Sequence, residues 1–125
     1  MAQRILVIED EAAIRAMLVD VLEEEGYAVV AAPGVDAGLA LLPKVRPHLI
    51  ICDLLLPPRT GRDVYDRLTQ KAGGPPVPML FITALPPADA DTRLIGDLRH
   101  VPVLYKPLQM PELLTAVEMF IEQEN

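Results

Sequence analysis

Tryptophan is absent from this chain of 125 residues and aromatic residues make up only 4% of it, so any core must be aliphatic. Cysteine is almost as scarce: Cys52 stands alone, which excludes an internal disulfide and fits a reducing compartment. It lies within an apolar run, so it reads as a buried, inert thiol. Basic residues form no cluster and do not interleave with aromatics, and the net charge is −7. That balance argues against direct nucleic-acid binding and favours basic partners or divalent cations. No apolar run approaches the roughly 20 residues of a membrane span, and the N-terminus lacks a signal-peptide layout, so the expectation is a cytoplasmic protein without a membrane anchor. A glycine-rich phosphate loop is also missing. After the first apolar run stands Glu9-Asp10-Glu11, which repels a phosphate unless a metal intervenes.

What is present is 51% hydrophobic, enough for a packed globule. The length predicts one domain over residues 1–125, burying about two thirds of its unfolded surface. The most informative stretch is Leu49-Ile50-Ile51-Cys52-Asp53-Leu54-Leu55-Leu56-Pro57-Pro58-Arg59-Thr60-Gly61. Its unbroken apolar run predicts a central strand of a parallel sheet, covered by helices on both faces. Asp53 then sits where such a strand ends, the edge at which open parallel sheets bind ligands. On position alone, a turn or helix-capping role for Asp53 is equally consistent.

The remaining chain alternates in the same way. Gln3–Ile8, Tyr27–Ala32, Leu49–Cys52, Pro78–Ile82 and Val101–Tyr105 read as strands. A helix from Ala12 carries Ile14, Met17, Leu18, Val21 and Leu22 on one face and stops at Gly26. Glu23, Glu24 and Glu25 crowd its negative end and read as a solvated face. A second helix carries Val35, Leu39 and Leu42 and is expected to end at Pro43 and Pro47. A third runs from Gly61 to about Ala72 with Val64 and Leu68 inward, followed by a stiff Gly73-Gly74-Pro75-Pro76 loop. A short helix is expected from about Ala88 to Leu98. The last carries Met110, Leu113, Leu114, Val117, Phe120 and Ile121, with Pro111 in its first turn. Five βα units with right-handed crossovers predict an α/β, doubly wound three-layer sandwich.

Four strand ends carry polar residues: Glu9-Asp10, Asp53, Thr83 and Lys106. Ends at one edge of a parallel sheet converge. Three carboxylates brought together raise one another's proton affinity unless a cation relieves them. Hard oxygen donors suit Mg²⁺, which keeps several waters and recruits a phosphate oxygen. A lysine neutralises phosphoryl oxygens and a threonine hydroxyl donates to one, so the set fits a carboxylate that accepts a phosphoryl group. Each residue alone has a plainer reading, as a cap, a loop hydroxyl or a surface amine.

As an ordered set these residues resemble the receiver domain of bacterial two-component response regulators. The resemblance covers essentially the whole chain: Glu9-Asp10, Asp53 followed by Pro57 and Gly61, Thr83-Ala84 and Lys106-Pro107. It implies a five-stranded parallel sheet of order 2-1-3-4-5 flanked by five helices, with Asp53 as phosphoacceptor. It further implies Mg²⁺ held by Asp10, Asp53 and the Leu55 backbone carbonyl, with Glu9 reaching it through water. Thr83 is implied to contact the phosphoryl group, Lys106 to pair with it, and the Lys106-Pro107 bond to be cis. The implied phosphoryl donor is a sensor histidine kinase or a histidine phosphotransfer protein. The implied output is an unidentified downstream protein or attached effector domain, with a phosphorylation-dependent dimer as a further partner. The implied role is therefore not that of an enzyme but of a phosphoacceptor that catalyses its own phosphoryl transfer and loss. Leu55 and Leu85 occupy positions that tune water attack in the family, and their bulk implies a long-lived phosphoryl group.

Departures are clear as well. Val103 stands where the family often places an aromatic switch; Tyr105 shares its face by strand alternation and reads as a packing residue. Pro86-Pro87 restricts the loop after Thr83. His48, where an acidic residue is common, reads as a strand-edge surface residue and not as a donor or ligand. Three rivals remain: a non-phosphorylated pseudo-receiver acting as a protein-interaction module, a flavodoxin-like small-molecule or nucleotide binder, and a hydrolytic enzyme using Asp53, which has no candidate general base near it.

Overall fold

The computed structural model describes residues 2–71, 77–90, 94, 96, 98 and 100–123. In chain order the elements are β1 (Arg4–Ile8), α1 (Ala12–Glu24), β2 (Ala28–Ala32), α2 (Val35–Val45) and β3 (Leu49–Asp53). There follow the short strands β4 (Leu55–Leu56) and β5 (Arg59–Thr60), α3 (Gly61–Lys71), β6 (Met79–Thr83), α4 (Pro87–Ala90), β7 (Val103–Tyr105) and α5 (Met110–Gln123). The main sheet is parallel throughout, in the order β2-β1-β3-β6-β7. This is the expected 2-1-3-4-5 order, with β4 and β5 lying outside the main sheet.

Aliphatic residues in the central strands bury both faces. One layer joins Leu6, Ile8, Ile50, Cys52 and Phe81 to Val35 of α2 and Val64 of α3. The other joins Ile5, Val7, Ile51, Leu80 and Ile82 to Leu18 and Leu22 of α1 and Leu113, Val117 and Ile121 of α5. Each such side chain contributes about 1.5–3 kcal/mol by leaving water. Met17 is the exception on the expected face of α1: at 36% exposure it lies outside the buried stripe. The α1 helix ends as Gly26 predicts. Gly26 has φ +94, its N–H donates to Glu23 O and the Tyr27 N–H to Leu22 O, the paired bonds of a Schellman cap. Glu23, Glu24 and Glu25 are exposed, as expected.

The structure corrects three boundaries. Pro43 lies inside α2, which continues to Val45 and closes on Arg46 at φ 50. So near the end, the missing proline N–H removes one helical bond without stopping the turn. Val101 is not in the last sheet strand: its N–H donates to Leu98 O in a turn, and Pro102, lacking an N–H, only accepts from Phe81. Asp53 is the last residue of β3 and not the first beyond it. Of the helix expected from Ala88 to Leu98, α4 accounts for Pro87–Ala90, while most of its remainder lies outside the described residues, as does the Gly73–Pro76 loop.

After β3 the chain makes a hairpin. Leu55 pairs with Thr60 and Leu56 with Arg59 across a Pro57-Pro58 turn whose peptide is cis. The Gly61 N–H donates to Leu54 O, and a Cβ at Gly61 would come within 2.5 Å of the Asp53 carbonyl oxygen. Only glycine lets α3 start so close to the end of β3. Lys106-Pro107 is cis, as the resemblance implied.

Candidate functional site

The site is assembled by sheet register. Ile8 pairs with Cys52, Asp53 with Ile82, and Thr83 with Tyr105. Glu9, Asp53, Thr83 and Lys106 therefore form a row in which each residue lies at most one position beyond the last paired residue of its strand. The Lys106 N–H donates to the Thr83 carbonyl at 2.7 Å, which extends the β6–β7 ladder to the lysine. Parallel pairing thus brings together residues up to 97 positions apart, the span from Glu9 to Lys106.

Glu9, Asp53 and Thr83 are the buried polar residues of the described chain, at 0%, 3% and 0% exposure. Lys106 Nζ donates to Asp53 Oδ2 at 2.7 Å. It also lies 2.8 Å from Glu9 Oε1, an ion-pair contact outside hydrogen-bonding angles that leaves Oε1 without a donor among the described residues. Glu9 Oε2 accepts from the Glu11 N–H at 3.0 Å, and Asp53 Oδ1 from the Leu55 N–H at 2.9 Å. Thr83 Oγ1 accepts from the Leu85 N–H at 3.1 Å. Glu9, Asp10 and Asp53 each offer a carboxylate oxygen within 4.8 Å of the others. The side chains of Glu9, Asp10, Asp53 and Lys106 therefore converge, while Thr83 is joined to Lys106 through its backbone carbonyl and turns its hydroxyl to the Leu85 N–H. Leu55 enters through its backbone, its side chain remaining 39% exposed at the rim.

The electrostatics follow from this crowding. Burial and then the hydrogen bond and charge of Glu9 raise the Asp10 carboxyl above its ordinary range. For Lys106, burial favours the neutral amine, but the contacts with Asp53 and Glu9 outweigh it and the net shift is upward. Burial, followed by the charges of Asp53 and Glu9, pushes the Cys52 thiol well above its usual value, so its inert reading holds. One cation facing three carboxylates leaves a local negative excess, which is the condition for recruiting a metal ion.

Two residues had roles that sequence reasoning missed. Arg15, on the first turns of α1, donates from Nη1 to the Glu9 and Asp10 carbonyls at 2.9 and 3.4 Å. The available signal was helix geometry, since side chains lean toward the helix N-terminus. His48 is half-buried, and its Nδ1 accepts from the Arg4 N–H at 2.9 Å, correcting its reading as a surface residue. At the aromatic-switch position, Val103 packs against the core while Tyr105 is 36% exposed. Tyr105 thus does not fill the core as a packing residue. An apolar cleft of about 360 Å³ lined by Leu39, Leu42, Leu68 and Val77 lies toward the opposite ends of the strands and contains none of the site's groups.

A family model described as the response regulator receiver domain matches residues 5–118. Over 122 residues the chain is 31% identical to the transcriptional regulatory protein PdtaR of Mycobacterium tuberculosis, covering 97% of this chain and 58% of that protein. Over 84 residues it is 38% identical to the phosphate regulon transcriptional regulatory protein PhoB of Escherichia coli, covering 67% of this chain and 37% of that protein. The chain thus spans 58% and 37% of the lengths of these two relatives. Among solved structures, the signal receiver domain of a signal transduction histidine kinase from Syntrophus aciditrophicus is similar with a TM-score of 0.82 at 26% identity, covering 98% of this chain and 92% of that one.

Proposed function

The chain belongs to the response regulator receiver domain family of two-component signalling, and from that premise we propose that Asp53 accepts a phosphoryl group from a phosphohistidine. The observation that carries the proposal is the Asp53 carboxylate itself, buried at a strand end, paired with Lys106 at 2.7 Å and clustered with Glu9 and Asp10. We read residues 1–125 as one phosphoacceptor domain, and the donor as a sensor histidine kinase or histidine phosphotransfer protein.

The donor set fits Mg²⁺. Its oxygens are hard, its charge is in excess, and the buried Glu9 Oε1 has no hydrogen-bond donor among the described residues, so it is suited to accept from a metal-bound water. Asp10, Asp53 and the Leu55 carbonyl would ligate the ion directly and Glu9 through water. Bound there, Mg²⁺ would neutralise charge on the transferring phosphoryl oxygens.

Asp53 supplies a carboxylate oxygen to phosphorus as the phosphohistidine N–P bond breaks; an acyl phosphate forms and the histidine leaves. Lys106 is already beside Asp53 and pairs with the incoming charge. Thr83 Oγ1 accepts the Leu85 N–H in the present state and donates to a phosphoryl oxygen in the phosphorylated one. The Thr83–Leu85 turn thereby couples modification to the β6–α4 loop, the element that shifts between two states. Leu55 at the rim and half-buried Leu85 flank the approach of water, so loss of the phosphoryl group is expected to be slow.

The test is labelling by acetyl phosphate. Wild type is expected to be labelled only with Mg²⁺ present, and Asp53→Asn not at all. Absence of labelling in folded wild type would return the chain to the reading as a non-phosphorylated interaction module.

A further inference from the structure

We propose that Arg15 is a positioning residue for Mg²⁺, clamping the Glu9-Asp10 backbone in the bend that turns both side chains toward one ion; this rests on the Mg²⁺ reading above. Glu9 and Asp10 are consecutive, and in an extended strand consecutive side chains point to opposite faces. Here they converge, with carboxylate oxygens of both within 4.8 Å of each other and of Asp53. The backbone bends at Asp10, between β1 and α1. Something must hold that bend.

Glu11, at the N-cap position of α1, makes no side-chain cap bond. Glu9 contributes one hold, accepting the Glu11 N–H on Oε2. Arg15 contributes the other. From the end of the first turn of α1 its half-buried side chain reaches back, and Nη1 sits 2.9 Å from the Glu9 carbonyl oxygen and 3.4 Å from that of Asp10. One planar guanidinium thus engages the two peptide units that aim the carboxylates.

Two effects of Arg15 on a bound dication oppose each other. Its charge repels the ion, while its hydrogen bonds fix the ligands. Supports that orient metal ligands typically change affinity by about 10–100-fold. The guanidinium contacts the Glu9 and Asp10 carbonyls, so its hydrogen bonds act on the ligands' backbone, and the expected balance favours positioning over repulsion.

The experiment is calorimetric Mg²⁺ titration of wild type, Arg15→Met and Arg15→Lys, with thermal unfolding of each recorded in parallel. Arg15→Met is expected to weaken Mg²⁺ binding roughly 10-fold, and Arg15→Lys, which keeps the charge and a single donor group, by less. In labelling with acetyl phosphate, the Mg²⁺ concentration for half-maximal rate should rise while the rate at saturating Mg²⁺ is largely retained. Should the Met variant fail to fold, the ordering of Lys against wild type carries the test. Unchanged or tighter Mg²⁺ binding in folded variants overturns the proposal and shows that repulsion dominates. Failure of wild type itself to bind Mg²⁺ is a different result, overturning the metal reading and this inference with it.

Discussion

The middles of β3 and β6 and their C-terminal ends are equally buried but chemically opposite. Every position of both strands is buried, from Leu49 to Asp53 and from Met79 to Thr83. The middles, with Ile51, Leu80 and Phe81, are stabilised simply by leaving water. At the ends, Asp53 of β3, like Glu9 just past the neighbouring β1, is a carboxylate whose burial is tolerable because Lys106 and backbone N–H groups donate to it or pair with its charge. Burial alone therefore does not separate core from site; the partners of each buried group do. The two regions should also answer differently to mutation, one through stability and the other through chemistry.

The largest stability effect should come from the middle. Phe81→Ala empties the biggest fully buried side chain and is expected to cost about 4 kcal/mol, measured by urea unfolding. Whatever fraction stays folded should still label at Asp53. Labelling lost from the folded fraction would break the distinction.

Lys106→Met comes next, at about 3 kcal/mol near neutral pH, because it strands two buried carboxylates. Its pH dependence sharpens the comparison. The folded Lys106 pKa is raised above the ordinary value, so its stabilisation is complete below that value and is lost as pH climbs through the folded one. In chelator-containing buffer, wild type should lose stability at strongly alkaline pH and Lys106→Met should lack this component. Parallel alkaline limbs would contradict the pairing.

The smallest effect belongs outside both regions. Asp36 pairs with Arg59 beside the hairpin, but its side chain is 87% exposed. Asp36→Ala is expected to cost less than about 1 kcal/mol by denaturant titration and to leave labelling unchanged.

The same contrast explains what could be read from the sequence. The β3 run is apolar on both faces, so its central place followed from its pattern, whereas the order of the whole sheet, with β1 and β6 beside it, followed from the family resemblance. Convergence of Glu9, Asp10, Asp53, Thr83 and Lys106 was legible because parallel strands share an edge. The 2.8 Å contact between Glu9 and Lys106 was not, since it depends on register set by long-range pairing. Leu54-Leu55-Leu56 gave no sign of a hairpin, because β4 and β5 are two residues each and their hydrogen bonds leave no periodic trace. Pro43 misled because a proline stops a helix less firmly in its last turn than in its middle. Arg15 and His48 were missed because they act on backbone atoms, which every residue possesses and no composition reveals.

In the proposed reaction the buried strand-end carboxylate of β3, and not its neighbours in the cluster, takes the phosphoryl group. The most direct test is to treat wild-type protein with acetyl phosphate and Mg²⁺, trap the acyl phosphate by borohydride reduction, and locate the reduced residue by peptide mass spectrometry. Modification is expected at Asp53 alone. Modification at Asp10 or Glu9, or none at Asp53 in protein shown to be folded, would contradict this assignment.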